Sequence, residues 1–275
     1  MMGTDEWFNE HDLETPDSIQ VRFGLSYVES DPAAATAAIT MPMSCYRNPL
    51  TGAPTIGPLA ILVDAAAGIV NHYRRRPGQW TVSSELSMDV CLDGLGELDG
   101  PVLATAHAFR PMGTTSLGIC TLTYDGIVIG GGTVRSVFVK AEARASGWPA
   151  ETLSLVAATP IADRMAVHVA PDAVGHVLVQ RVDPNLNNEL DIVHGGVAAA
   201  GLELAASAAI NEGRANVPLQ TASLRVNFLR PFFAGAQSRY EGTTLRVGRS
   251  TGLGEARAIG DDGKVALTGR VTAYR

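Results

Sequence analysis

An alanine-rich, nearly uncharged segment of helical length occurs twice in this sequence, and it constrains the fold more than any other feature. Residues 59–72 contain a single acid, Asp64, and residues 197–210 contain a single acid, Glu203. A helix with small side chains on every face can be wrapped closely by a curved sheet. Because a lone carboxylate is costly to bury among apolar residues, we expect both acids to have a specific use.

The two segments belong to halves of the chain that can be laid on each other. Asp64 and Glu203 each follow a glycine, Gly57 and Gly196, by seven residues. Leucines follow these acids at similar distances, at positions 86 and 224, and each half ends in an Asp-Gly hairpin signal. Self-similarity of this kind indicates duplicated units.

The predicted fold class is α+β, with two tandem units that each wrap a curved antiparallel sheet around one long helix. The predicted boundaries are 18–142 for the N-terminal unit, 143–160 for a linker and 161–275 for the C-terminal unit, after a lead-in of residues 1–17. Alternation and turn signals predict two strands within 19–43, and further strands at 80–91, 102–110, 114–124, 127–139, 166–169, 176–182, 219–231, 238–247, 254–259 and 265–274.

Composition narrows the classes of function. The formal charge of −7 argues against a nucleic-acid surface. The three cysteines lie far apart, and no His or Cys spacing typical of a metal site occurs, so we expect no metal and no cofactor. The acidic start of the chain has no apolar signal segment and no apolar run is long enough to span a bilayer, which predicts a cytoplasmic protein without a membrane partner.

The strongest local motif is the polar loop that leads into the second alanine-rich segment. Asn188 is followed six residues later by His194 and then by Gly195 and Gly196. Glycines at a helix start let another group approach bare backbone N–H donors, where the helix dipole favours negative charge. The motif therefore predicts a site where an oxygen gains negative charge beside a carboxylate.

The motif, with an acid nine residues after the histidine, resembles the hot-dog-fold acyl-CoA thioesterases, and within them the phenylacetyl-CoA thioesterase-like branch. Residues 221–231, which end in Asn-Phe-Leu-Arg-Pro, resemble that family's strand after the helix. The resemblance covers residues 160–275 well and 19–140 weakly. It implies paired hot-dog units, here supplied by one chain as an intramolecular pseudo-dimer, and an acyl-CoA substrate.

The resemblance also implies that each site takes its loop from one unit and its acid from the other. The first site then joins the C-terminal loop to the N-terminal acid and the hydroxyl of the following strand: Asn188, His194, Gly195 and Gly196 with Asp64 and Ser83. The second joins the C-terminal acid and strand to the N-terminal loop: Glu203 and Thr221 with Asn48, Thr55 and Gly57. In that loop Thr55 replaces the histidine and Ile56 the first glycine, so the second site departs from the family pattern.

In the first site, the Gly195 and Gly196 N–H groups would bind the thioester carbonyl oxygen, and Asn188 would hold the thioester or the water. Asp64 would act as a general base on water or attack directly, and the sequence leaves both open. Ser83 would orient the water, while His194 would shape the loop or approach the thioester sulfur. Arg230 and Arg249 are the predicted contacts of the CoA phosphates, and a homodimer is the favoured assembly.

Two alternatives were weighed against hydrolysis. The run Asn48-Pro49-Leu50 is similar to hydratase-type hot-dog proteins, but those need an Asp two residues before the Asn and a His after the Leu. This chain has Tyr46 and Thr51 there, so the hydratase acid–base pair is missing. The second alternative is a non-catalytic binding protein for acyl-CoA or another acyl ligand on the same double scaffold, which fold alone does not separate from an enzyme.

Overall fold

The computed structural model describes residues 18–109, 113–140, 148–171, 174–214 and 217–275. Within them the helices are α1 (Ser18–Phe23), α2 (Leu59–His72), α3 (Ile161–Arg164) and α4 (Gly195–Ile210), with a 3-10 turn at Pro184–Leu186. The strands are β1 (Ser26–Asp31), β2 (Thr36–Ser44), β3 (Gln79–Val90), β4 (Asp99–Ala108), β5 (Thr115–Tyr124), β6 (Ile127–Lys140), β7 (Val167–Val169), β8 (His176–Gln180), β9 (Gln220–Phe228), β10 (Arg239–Val247), β11 (Thr251–Ile259) and β12 (Val265–Tyr274).

The described strands form one antiparallel sheet in the order β1-β2-β4-β5-β6-β3-β9-β12-β11-β10-β8-β7. Strands β1 to β6 of the first half correspond in chain order to β7 to β12 of the second. With this correspondence, the strand order is the same when it is followed from either edge of the sheet. Helix α2 packs on strands of the first half, α4 packs on strands of the second, and the two helices contact each other. The sheet therefore encloses both alanine-rich helices, and the architecture is α+β.

The two halves of the sheet join at β3 and β9, which pair around Ser87 and Arg225. Leu86 lies opposite Val226, and Met88 lies opposite Leu224. Leu86 and Leu224 each stand one residue before the central pair, which is the equivalence that their sequence spacing predicts. Asp64 on α2 and Glu203 on α4 therefore lie at equivalent positions on the two sides of the β3–β9 junction.

Both long helices begin and end close to where the sequence predicts them. Glycines in the sheet let it approach them closely: a Cβ at Gly118 would overlap the Ala67 carbonyl, and one at Gly242 would overlap the Ala205 carbonyl. No helix in the described ranges is long and apolar enough to cross a bilayer.

The strand predicted from Ile19 onward is wrong at its start, because residues 18–23 form helix α1. Ser18, Ile19, Arg22 and Phe23 are its buried residues, which is helical rather than alternating spacing. The apolar residues at 19, 21 and 23 imitate a strand, but the side chain at 21 is exposed. The lead-in predicted for residues 1–17 and part of the predicted linker, 143–147, lie outside the described residues.

A buried ion cluster joins α1 to the second half of the chain. The Arg22 guanidinium donates to the Glu151 carboxylate at 2.5 and 3.0 Å and to the Asp183 carboxylate at 2.9 Å. Arg164 in turn donates to the backbone carbonyl of Arg22 at 2.8 Å. Because these bonds join residues more than a hundred positions apart, no local pattern in the sequence signals them.

Candidate active site

The N-terminus of α4 is capped by its own preceding residue. The His194 Nδ1 atom accepts a hydrogen bond from the Gly196 backbone N–H at 3.2 Å, so His194 is the N-cap. Because Nδ1 accepts, a neutral imidazole at this position carries its proton on Nε2. The histidine of the motif therefore fixes the start of the helix.

Asp64 reaches this helix end from the other half of the chain. Its Oδ2 accepts from the Gly196 N–H at 2.6 Å, and its Oδ1 accepts from the Ser83 hydroxyl at 3.0 Å. His194 Nδ1 lies 3.5 Å from the same Oδ2. Only 7% of Asp64 is exposed, so these donors hold the carboxylate in one orientation. The structure thus brings together the acid, the hydroxyl and the glycine loop that the sequence assigned to the first site.

Two glycines make this close crossing possible. A Cβ at Gly195 would lie 2.7 Å from the Asp64 Oδ2 atom. A Cβ at Gly196 would lie 2.6 Å from the backbone Cα of Ile61 on α2. The first glycine therefore makes room for the carboxylate, and the second makes room for the backbone of the facing helix.

The predicted role of Gly196 as a donor to the thioester oxygen is corrected by this geometry. Its N–H is already engaged by Asp64 and His194. A backbone N–H that donates to a carboxylate oxygen at this short distance can bind a substrate carbonyl only if the carboxylate is displaced. Gly195 lines the neighbouring cavity, whereas Gly196 does not.

A cavity of about 380 Å³ adjoins the Asp64 carboxylate. It is larger than the cavity of about 30 Å³ beside the second predicted site. The predicted residues on its wall are Asp64, Ser83, Asn188, His194 and Gly195. Apolar and aromatic side chains complete the wall: Ile19, Leu25, Tyr27, Ile39, Ile69, Trp80, Val82, Trp148, Ile192, Val193, Phe228, Leu229, Phe232 and Leu267. Further polar side chains also line the cavity: Gln20, His72, Thr81, Ser84, Ser136, Asn187, Glu189 and Arg230. A partly apolar wall with convergent polar groups is typical of a site for a ligand that has an apolar part.

Asn188 lines the cavity and also shapes the loop. Its Oδ1 accepts from the backbone N–H groups of Leu190 at 2.9 Å and Ile192 at 3.3 Å. The side-chain carbonyl is therefore committed to the turn, and the amide nitrogen is the part of Asn188 that can serve a ligand.

The two predicted phosphate contacts have different positions. Arg230 lines the cavity beside Pro231 and can meet a polar group at its edge. Arg249 does not: it lies in the turn between β10 and β11, where its backbone carbonyl accepts from Arg214 just beyond the C-terminus of α4. The Asp64 site is near the other end of this 16-residue helix, and a contact of Arg249 with a CoA phosphate stays a prediction.

The residues predicted for the second site also come together, but around a sealed acid. Glu203 is 1% exposed, and its two carboxylate oxygens accept from Thr55 and Thr221, each at 2.6 Å. The Gly57 N–H donates to the Thr55 hydroxyl at 3.0 Å. The adjoining cavity measures about 30 Å³, and Glu203 does not line it. Glu203 therefore differs from Asp64, because its carboxylate is bonded to two threonine hydroxyls and it lines neither of the two cavities, and its catalytic role stays a prediction.

Asn48 closes the second site from the loop side. Its amide nitrogen donates to the Leu204 carbonyl at 2.7 Å and to the Ser207 hydroxyl at 3.0 Å, both on α4. Its Oδ1 accepts from the Leu50 N–H at 2.9 Å, as Asn188 does from its own loop. The predicted equivalence of the two asparagines is therefore seen in their loops, although the cavity beside the Asn48 loop measures only about 30 Å³.

Burial raises the pKa of Glu203 above its ordinary value of 4.5, against the opposing hydrogen bonds from Thr221 and Thr55. The folded protein then binds this proton more tightly than the unfolded chain does. The group's contribution to stability is complete below pH 4.5 and is lost as the pH rises through the raised pKa. We expect Glu203→Gln to remove this pH-dependent loss of stability. The free energy of unfolding of the variant should therefore rise relative to that of the wild type as the pH rises.

Denaturant unfolding of both proteins in mildly acidic and mildly alkaline buffer measures this difference. The unfolding free energy of the variant minus that of the wild type should become more positive toward alkaline pH. A difference that stays constant, or becomes more negative, would show that Glu203 does not carry the proton linkage inferred from its burial.

The far wall of the cavity was not predicted. His72 lines the cavity there with Trp80 and Thr81. The His72 Nδ1 atom lies 2.9 Å from the Thr81 hydroxyl. The His72 and Trp80 rings pack edge to face, with their centroids 4.4 Å apart. Burial, with the nearby charge of Arg75, lowers the pKa of His72 to about 3, so the ring is neutral at neutral pH. The sequence contained one indication that His72 faces the same side of α2 as Asp64, because it follows Asp64 by about two helical turns.

The sequence of residues 183–274 matches the family model described as acyl-CoA thioesterase N-terminal domain. No curated protein matches the chain. Among solved structures, the chain is similar to a TesB protein of Mycobacterium avium subsp. paratuberculosis, at 14% identity and a TM-score of 0.60. That match covers 93% of this chain and 97% of the other.

The chain is also similar to an acyl-CoA thioesterase II of Mycobacterium marinum, at 13% identity and a TM-score of 0.58, over 93% of this chain and 97% of that one. A protein from Alicyclobacillus acidocaldarius described as having a hot-dog fold matches at 13% identity and a TM-score of 0.53, over 94% and 98%. At these identities the likeness shows the fold, which is the hot-dog fold. The resemblance to hot-dog acyl-CoA thioesterases is thereby confirmed, for a chain of tandem length.

Proposed function

We propose that this chain hydrolyses acyl-CoA thioesters to a free acid and CoA, at the cavity beside Asp64. One observation carries the proposal: a buried carboxylate from one half is held at 2.6 Å against the helix start of the other half, on the wall of a 380 Å³ apolar cavity. The family match of residues 183–274 and the TesB proteins of similar fold support the same substrate class.

In the proposed reaction a water oxygen bonds to the acyl carbon, the C–S bond breaks, and the water proton passes to the departing sulfur. Asp64 either takes the proton from the water as a general base or attacks the carbonyl first to form an anhydride that water opens. The Gly195 N–H, at the positive end of α4, binds the carbonyl oxygen as it gains charge. Ser83 and the Gly196 N–H orient the carboxylate.

His194 has a separate role in this proposal. Because its Nδ1 accepts from Gly196, the Nε2–H of the neutral ring is the group left to donate to the thioester. The Asn188 amide nitrogen is another side-chain donor on the cavity wall that is proposed to contact the thioester. Arg230 at the edge of the cavity is the proposed contact for a CoA phosphate.

We further propose that the chain is a tandem pair of hot-dog units that forms an intramolecular pseudo-dimer, with units at 18–142 and 161–275. The mirrored strand order and the central pairing around Ser87 and Arg225 support this arrangement. The sealed surroundings of Glu203 support a single working site in the pair. The homodimer and the cytoplasmic location stay predictions.

Release of free thiol from acetyl-, hexanoyl-, dodecanoyl- and phenylacetyl-CoA by the purified full chain tests the function. We expect turnover of at least one ester without added metal, since the donor groups of the proposed reaction all come from the chain. If none of the esters is cleaved while calorimetry shows saturable binding of one of them, the non-catalytic binding protein becomes the better description.

A further inference from the structure

The cavity follows one face of helix α2 over two turns. Asp64, Gly68 and His72 are spaced four residues apart and all line it. Strand β3 runs beside this face, with Ser83 bonded to Asp64 at 3.0 Å and Thr81 beside His72 at 2.9 Å. At 1.5 Å per helical residue the space extends about 12 Å from the carboxylate to the imidazole. The cavity is therefore a channel that begins at the reacting group.

Gly68 forms the middle of this channel floor. A Cβ built on it would have one atom within 4 Å, the Asp64 Oδ1 at 4.0 Å, so a side chain there would project into the open cavity. The residue sits inside a regular helix, where glycine is among the least favourable residues. Neither helix geometry nor a packed neighbour accounts for glycine at this position.

The matching position on α4 carries a side chain, and the matching channel is filled. Ser207 follows Glu203 by four residues, as Gly68 follows Asp64. The Ser207 hydroxyl accepts from the Asn48 amide nitrogen at 3.0 Å, which draws the loop asparagine down onto the helix. The 30 Å³ cavity on that side has no α4 residue in its wall. The Ser207 hydroxyl, together with the Leu204 carbonyl at 2.7 Å, thus holds the loop asparagine on α4, whereas Gly68 has no side chain that could do so on α2.

We propose that Gly68 is a specificity-determining residue, whose missing side chain keeps open a channel for the apolar body of the acyl group between Asp64 and His72. The thioester lies at Asp64, and the acyl chain crosses Gly68 toward Ile69 and Trp80. This inference rests on the proposed hydrolysis and names its substrate class: acyl groups long enough to pass Gly68 and apolar along that length.

The test compares the wild type with Gly68→Ala and Gly68→Val over acetyl-, hexanoyl- and dodecanoyl-CoA, with kcat/KM measured by thiol release. For dodecanoyl-CoA we expect a fall of roughly 10-fold or more with alanine, and on the order of 100-fold with valine. For acetyl-CoA, which ends before Gly68, kcat/KM should be unchanged. Because alanine is the better helix former, Gly68→Ala should also raise Tm by about 2–4 °C, which separates a blocked channel from a damaged fold.

Ser207→Ala is the matched control on α4, and it should leave the chain-length profile as in the wild type. Equal losses on all esters, no loss on any, or a wild type that cleaves acetyl-CoA alone would overturn the channel. If the wild type cleaves none of them, the proposed function fails by itself. Calorimetric binding of dodecanoyl-CoA to the wild type and Gly68→Val then decides the channel, and equal affinities overturn it.

Discussion

Asp64→Asn is expected to lower kcat/KM for acyl-CoA hydrolysis by a factor on the order of 10²–10⁴, the usual contribution of a positioned general base. The amide has the shape of the carboxylate but neither its charge nor its two acceptor oxygens. Ser83 and the Gly196 N–H both donate to this side chain, so one of them must face an NH₂ group in the variant. Steady-state thiol release on the best ester of the wild type measures the loss.

Glu203→Gln is the matched control, since it makes the same chemical change at the equivalent position of the other helix. Its carboxylate accepts from Thr55 and Thr221, and Glu203 lines neither the 380 Å³ nor the 30 Å³ cavity of the described residues. The control should keep kcat/KM close to the wild type while its stability shifts with pH. A larger loss of activity in Glu203→Gln than in Asp64→Asn would reverse the assignment of the working site.

The second large effect is expected from alanine at the two motif glycines, with a different outcome at each. Gly195→Ala places a methyl group 2.7 Å from the Asp64 Oδ2 atom, and a side chain can move where backbone cannot. We expect a folded protein in which the carboxylate is displaced and the proposed oxyanion donor is shielded. The loss in kcat should be on the order of 10²–10³, as for other single oxyanion donors.

Gly196→Ala meets backbone instead, with its methyl 2.6 Å from the Cα of Ile61 and 3.0 Å from the Ala60 carbonyl. The two helices must separate to admit it, so we expect a loss of about 1–3 kcal/mol or more in the free energy of unfolding. Urea unfolding and thiol release on both variants distinguish them. If Gly195→Ala proves the less stable and Gly196→Ala the less active, the positions of the two glycines are misassigned.

Much of the fold follows from local features of the chain. Both long helices were predicted because a run of small apolar residues opening on Gly-Pro or Gly-Gly has few other stable forms in water. The strand runs after each helix were predicted because alternation and Asp-Gly turns are local signals. Helix α1 was missed, since six residues carry too little periodicity to distinguish a helix from a strand, and its burial depends on Arg22 partners far along the chain.

Not all residues of the candidate site could be predicted from the sequence. The family resemblance paired Asp64 with a loop 130 residues away, and the structure places the two in contact. His72 was missed because a histidine in an apolar helix has the same appearance in sequence whether or not a cavity lies beside it. The position of Arg249 beyond the C-terminal end of α4 was not predicted, because a turn sequence does not indicate the helix end to which it is close.

The sequence by itself determined that two acid-bearing helices of small residues lie in related halves, and that one half has the complete Asn-His-Gly-Gly loop. These are properties of residue type and spacing, which are present before the chain folds. The tertiary structure alone decided that the Gly196 N–H serves Asp64, that the Glu203 side is sealed, and that Gly68 faces open space. Those outcomes depend on distances of a few ångströms between packed elements, where one hydroxymethyl group at Ser207 or its absence at Gly68 changes what a helix face can hold.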